Sequence, residues 1–291
     1  MNRIKKTTDI VYNTNTKKDL TIIHISDIHF NTDTSLSKLN KLTTEIKKNN
    51  PDYIMISGDL IDEPKIIKNK YKIKELLQFL SNLSEITKIF ISLGNHDIFS
   101  PEDLKFFNKL NELKNIYILD NDCYKDEFIY ISGLTLPNNY YYNITHEESS
   151  EVLVKHLTNN RKLISKLPRE LPKVILIHSP IKLTNKEVLN KLKEYDLILS
   201  GHTHNGMVPG ILKSLFPKNK GLIAPNKTLF PEIAKGKIEV NQDNKKITII
   251  INGAITKLSS KSSKILSKLN IVYPMSINKI IITKKRGKYY E

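Results

Sequence analysis

Histidine, aspartate and asparagine stand in this sequence at the ends of short apolar runs, where they could do chemistry. Asp27-Ile28-His29 follows LTIIHIS, Gly58-Asp59 follows YIMIS, and Gly94-Asn95-His96-Asp97 follows KIFISL. His178 ends VILIH, and Gly201-His202-Thr203-His204 follows LILS. Aspartate and histidine with one asparagine, and no cysteine, make a nitrogen and oxygen donor set. Such a set suits Mn, Fe, Zn, Ni or Co better than a thiolate zinc site would. In Asp27-x-His29 and His202-x-His204, residues two apart on an extended backbone point to the same side, so each pair is expected to face one crevice. One ion takes about three or four protein donors, so the candidate ligands Asp27, His29, Asp59, Asn95, His178, His202 and His204 call for two divalent ions.

The elements that must position these residues follow from hydrophobic periodicity. Runs rich in β-branched residues predict strands at 20–26, 53–57, 88–93, 116–119, 128–132, 174–178 and 197–200. Amphipathic stretches predict helices at 35–48, 70–83, 146–167 and 185–195, and Ser100-Pro101 reads as the start of another. Strands alternating with helices make a layered α/β domain. Loops leaving the carboxyl ends of such strands converge on one crevice, so blocks far apart in sequence would meet. Residues 205–235, rich in Gly and Pro and without a sustained period, read as a long substrate-side loop. A hairpin is expected from 237–240 and 247–252, and a last strand at 278–283. The chain is read as one domain over 1–291, with a lead-in at 1–19 and a tail at 284–291 that frays.

Composition narrows the classes. The 291 residues carry 46 Lys and Arg against 30 Asp and Glu, a net +16, with one Cys and no Trp. Fibrous, collagen-like and fully disordered readings are excluded by that balance and by the regular apolar pattern. Cys123 cannot form an internal disulfide and reads as a small buried apolar side chain. No apolar segment approaches the roughly 20 residues of a membrane span, and no secretory h-region follows the basic start, so a soluble, cytoplasmic protein is expected. The excess charge fits a polyanionic partner or an anionic membrane surface touched peripherally. Over-use of Lys, Asn and Ile along the whole chain accounts for it equally well.

Taken together, the ordered blocks D-x-H, G-D, G-N-H-D, a lone His and G-H-x-H resemble the calcineurin-like metallophosphoesterase superfamily, and no position of that core pattern departs from it. The resemblance runs from Asp27 to His204. It implies a four-layer α-β-β-α sandwich of two mixed sheets flanked by helices, with the final strands completing the second sheet. It also implies that Asp27, His29 and His204 bind one metal, that Asn95, His178 and His202 bind the other, and that Asp59 bridges them. His96 is similar to the family's general acid, and Asp97 to the carboxylate that orients it.

Physical chemistry supports the same roles. Two divalent ions outweigh the two aspartates and a bridging hydroxide, leaving the centre attractive to phosphate. Such a pair generates the attacking hydroxide near neutral pH, and a histidine can protonate the leaving alkoxide. His24, inside the first strand, is expected to be structural or to support the site from behind, and His146 and His156 to lie on the surface. G-H-T-H-N-G followed by a Pro/Gly loop is similar to a bacterial subgroup that includes cell-envelope phosphodiesterases and UDP-diacylglucosamine pyrophosphatase-like proteins. The expected activity is therefore phosphodiester hydrolysis on a nucleotide-linked or lipid-linked substrate. Phe216, Leu222 and Phe230 in the 205–235 loop either grip that substrate or pack the loop upon itself. A nuclease, favoured by the charge but by no nucleic-acid motif, and a metal-free binding scaffold are the alternatives.

Overall fold

Apolar residues on both faces of each central strand dictate how this chain stacks. In β2 (Leu20–Ile25), Leu20 and Ile22 face one way and Ile23 and Ile25 the other, all fully buried. The same alternation runs through β3 (Tyr53–Ser57), β4 (Lys88–Ser92), β8 (Lys173–Ile177) and β9 (Leu197–Ser200). A strand buried on both faces needs a layer on each side. A computed structural model, which describes residues 3–98, 100–141, 148–208, 219–222, 233–256 and 274–285, supplies those layers as two six-stranded sheets packed face to face.

The first sheet runs β1-β12-β2-β3-β4-β5, with β1 at Ile4–Tyr12, β5 at Ile116–Ile118 and β12 at Met275–Thr283. Its outer face carries α1 (Leu36–Lys47), α2 (Lys70–Ser84) and α3 (Pro101–Leu110), whose Leu39, Leu42, Leu76, Leu80 and Phe107 pack on Ile23, Ile54 and Ile89. The second sheet runs β10-β11-β9-β8-β7-β6, with β6 at Asp122–Lys125, β7 at Tyr130–Leu134, β10 at Gly236–Gln242 and β11 at Lys245–Ile251. It is covered by α4 (Glu148–Asn159) and α5 (Lys186–Leu192) through Leu153, Leu157, Val188 and Leu192. Between the sheets lie Leu20, Ile22, Met55, Phe90, Ile131, Leu176, Leu199, Ile250 and Ile280. The expected α/β four-layer sandwich is thus the observed one. Helix starts are set by side-chain caps: Ser35 accepts from the Lys38 amide, and Ser100 forms a capping box with Asp103.

Several expectations need correction. The stretch at 1–19 is no mere lead-in, because β1 lies within it and pairs in parallel with β12, from Ile4 opposite Met275 to Tyr12 opposite Thr283. The last strand does not complete the second sheet as β10 and β11 do. It runs antiparallel to β2, with Asn278 opposite His24, and its Ile280 and Ile282 fill the space between the sheets. An edge of β2 buried on both faces requires a partner to satisfy its ladder. The predicted helix at 146–167 does not run on to 167: α4 ends at Asn159, where the Asn160 side chain turns back to the His156 carbonyl, and a separate 3-10 turn follows at Arg161–Leu163. Cys123 is exposed, since β6 is an edge strand bonded to β7 alone. His156 is only half-exposed and binds the Thr135 carbonyl at 2.7 Å. His146, Phe216, Phe230, most of 205–235 and the tail beyond 285 lie outside the described residues.

Candidate metal centre

All five blocks sit at the carboxyl ends of strands of one crevice, where β2, β3 and β4 of the first sheet meet β8 and β9 of the second. Asp27, His29 and His204 form one group of converging donor atoms, and Asp59, His178 and His202 a second, with every ligand atom in each group within 4.8 Å of the others. All six are buried. His204 Nε2 lies 3.3 Å from Asp27 Oδ1 and 3.3 Å from His29 Nε2. His178 Nε2 lies 3.1 Å from Asp59 Oδ2, which also stands 3.6 Å from His29 Nε2 and so faces both groups. Asn95 is buried on the loop after β4, between Gly94 and His96.

The backbone that aims these side chains is not extended. Asp27, His29, Asp59, His202 and His204 have φ of 51°, 45°, 53°, 66° and 49°, in the left-handed region. The two pairs do share a crevice, but through tight left-handed turns that cost about 1 kcal/mol or more per residue and cluster at functional sites. Glycine is required beneath them. At Gly58, φ is +87° and an added Cβ would sit 2.5 Å from His178 Nδ1, while a Cβ on Gly201 would collide with the Asp27 carboxylate.

Hydrogen bonds to main-chain carbonyls fix the tautomers. A carbonyl only accepts, so His178 Nδ1 donates to Ser57 O at 2.7 Å and its Nε2 is the atom left to face Asp59. His96 Nδ1 likewise donates to the Asp62 carbonyl at 2.6 Å. Burial holds His202 down at about 3, keeping the imidazole neutral, which is the metal-binding form. Burial would raise the Asp27 carboxyl, but His204 and His178 hold it well below the ordinary range. Burial would lower His178, but Asp59 raises it to about 9.

Asp97 has a different task from the expected one. Its fully buried carboxylate accepts the amides of Gly94 at 2.9 Å, Ile61 at 3.2 Å and Leu60 at 3.3 Å, tying the loop after β4 to the loop after β3. Burial, with the Asp59 carboxylate beside it, pushes Asp97 up to about 7, and the Gly94 and Ile61 amides oppose that rise. Asp62, which sequence reasoning passed over, is the carboxylate beside the imidazoles. Its Oδ1 lies 3.2 Å from His29 Nδ1 and 3.8 Å from His96 Nδ1. The only signal was its place three residues after Asp59 in the same loop. His24, as expected, supports from behind: it is fully buried, held near 3 by burial, and 2.8 Å from Ser57 Oγ. Tyr141 was also missed, and its ring stands 5.3 Å from that of His202.

The donor set fits divalent ions. Two buried carboxylates and four buried imidazoles converge in two groups, a nitrogen and oxygen donor set of the kind such ions take. The ends of the long loop are pinned to this site, with Thr203 Oγ1 donating to Ala234 O at 2.6 Å and Leu222 N to Gly206 O at 2.8 Å.

This constellation on this fold defines a class. The sequence signature of the calcineurin-like phosphoesterases matches residues 20–206, and the chain belongs to that family of metal-dependent phosphoester hydrolases. It is 29% identical over 195 residues to the uncharacterised metallophosphoesterase Cj0846 of Campylobacter jejuni, covering 67% of this chain and 46% of that one. A Helicobacter pylori metallophosphoesterase is 28% identical over 208 residues, 71% of this chain and 50% of its own. The chain spans about half the length of those two curated relatives. UDP-2,3-diacylglucosamine pyrophosphatase LpxG of Chlamydia muridarum is 23% identical over 265 residues, 78% of this chain and 75% of its own. A dimetal phosphatase from Danio rerio superposes with a TM-score of 0.46 at 12% identity, covering 81% of this chain and 87% of that one. Among the described residues no helix is long and apolar enough to cross a membrane.

Proposed function

We propose that the protein hydrolyses phosphodiesters using two divalent ions, manganese among the candidates, with Asp27, His29 and His204 holding one and Asn95, His178 and His202 the other. The observation that carries this reading is Asp59 Oδ2, which faces His178 Nε2 at 3.1 Å and His29 Nε2 at 3.6 Å and so serves both groups. Bound there, the ions would supply Lewis acidity and lower the pKa of water for in-line attack on phosphorus. The chain's own residues do the rest. Asp59 Oδ1 accepts the His96 amide at 2.8 Å, fixing that backbone, and the Asp62 carbonyl fixes the ring. With Nδ1 committed, Nε2 of His96 is the atom that delivers a proton to the leaving oxygen. His96 is also the most open of the cluster's imidazoles, 16% exposed against 8% for His204 and at most 1% for His29 and His178, so substrate reaches it first.

Kinship with LpxG supports a lipid-linked or nucleotide-linked substrate, gripped by the 205–235 loop. The test is hydrolysis of bis(p-nitrophenyl) phosphate and p-nitrophenyl phosphate by metal-stripped protein, with Mn, Ni, Zn and Mg restored in turn. Metal-dependent activity, higher on the diester and abolished in Asn95→Ala, is expected. Faster monoester turnover would remove the diester assignment, and protein that binds no metal would remove the enzyme.

A further inference from the structure

Tyr141 stands beside the second donor group, and its hydroxyl has no hydrogen-bond partner among the described residues. Its ring centroid lies 5.3 Å from that of His202 and 6.1 Å from that of His178. The hydroxyl oxygen is buried. Such an orphan is costly, and phenylalanine would fill the same space without it. The preceding residue gives the contrast: the Tyr140 hydroxyl donates to the Ile181 carbonyl, and its ring meets that of Tyr141 edge-on at 5.5 Å. Of two adjacent tyrosines packed on the same helical layer, one is satisfied and the other stands with its ring beside two imidazoles of the site.

We propose that the Tyr141 hydroxyl donates a hydrogen bond to a phosphoryl oxygen of substrate seated at Asp59, His178 and His202. This rests on the phosphoester reading above. A phenol suits the task because it is neutral below a pKa of about 10 and donates without adding a second cation beside the ions. Fixed in advance, such a donor strengthens as charge gathers on the phosphoryl oxygens.

The test is Tyr141→Phe, with Tyr140→Phe as its matched control. Inorganic phosphate is titrated calorimetrically into manganese-loaded protein, and thermal midpoints are taken on metal-stripped protein. Tyr141→Phe is expected to weaken phosphate binding about tenfold or more, while its thermal midpoint is unchanged or higher. Tyr140→Phe is expected to lower the midpoint and leave phosphate affinity alone. Unchanged phosphate affinity in Tyr141→Phe, a clear fall in its midpoint, or failure to fold would each overturn the assignment. Parent protein that binds neither metal nor phosphate would overturn the phosphoester reading, and the role of Tyr141 with it.

Discussion

Replacing Asp62 by asparagine should weaken one metal site and spare the other. The Asp62 Oδ1 atom lies 3.2 Å from His29 Nδ1, with both side chains at most 1% exposed, so this is the partner that orients His29 and raises its basicity. The contact is an ion pair rather than a formed hydrogen bond, and losing a carboxylate beside a metal-ligating imidazole costs about 10–100-fold in metal affinity, of which the lower end applies here. That loss of about 1–1.5 kcal/mol corresponds to roughly a tenfold rise in the dissociation constant at the Asp27, His29 and His204 group. Asn31 Nδ2 donates to the other oxygen at 3.2 Å, so an amide at position 62 must set a donor against either Asn31 or His29. The substitution should therefore lower the thermal midpoint as well. Asp62 contributes no donor to the second group, whose affinity should stay within about twofold. Calorimetric titration of metal-stripped protein with Mn resolves the two steps. Equal weakening of both, or of neither, would refute the coupling of Asp62 to His29.

Gly201→Ala should strip metal from the Asp27 group, because its Cβ would sit 2.6 Å from Ser26 Cβ and against the Asp27 carboxylate; metal content after dialysis reads this, and full retention counts against it. Asp97→Asn should lower the thermal midpoint by roughly 5–10 °C, since one or two of the three amides would face an NH2 in place of an accepting oxygen; a shift under about 2 °C by calorimetry would show that the carboxylate does not hold the loops. Asn252→Ala should cost about 2–4 kcal/mol in urea unfolding while leaving metal affinity unchanged. The buried Asn252 amide donates to His24 O at 3.1 Å and Asn278 Oδ1 at 2.7 Å, and its Oδ1 accepts from Ala254 N at 2.8 Å. An unmoved urea midpoint would contradict that.

Strands such as YIMIS and VILIH were legible because residues buried on both faces leave an unbroken apolar run, and the residues that end them announced the crevice. What sequence could not show were features set by distant partners. In β1, Lys5, Lys6, Thr7 and Thr8 give little apolar signal, because β1 is an edge strand whose partner lies some 270 residues away. Asp62 carries the same letter as any loop aspartate, and only folding brings His29 within 3.2 Å of it. Asp97 sits beside His96 in the chain, which invites the idea that it orients that ring. The tight turn over 94–97 points its carboxylate back at the Gly94 amide instead. Likewise, the extended geometry assumed for Asp27-x-His29 fails because the strand has ended at Ile25, and the next residues turn left-handed.

The insertion of β12 between β1 and β2 also orders events in time. Every donor of both groups lies before residue 205, yet the strand that seals β2, from whose end Asp27 and His29 project, is Met275–Thr283. At synthesis rates of about 5–20 residues per second, β1 and β2 wait on the order of ten seconds or more for that partner. During that interval the apolar edge of β2 is open to pairing with other chains. The loop carrying Asp27 and His29 also lacks the contacts that Ile255 and Thr256 make to the Ser26 and Asp27 carbonyls. Capacity to hold metal should consequently arrive late and all at once, so a nascent or truncated chain carries every ligand and no site.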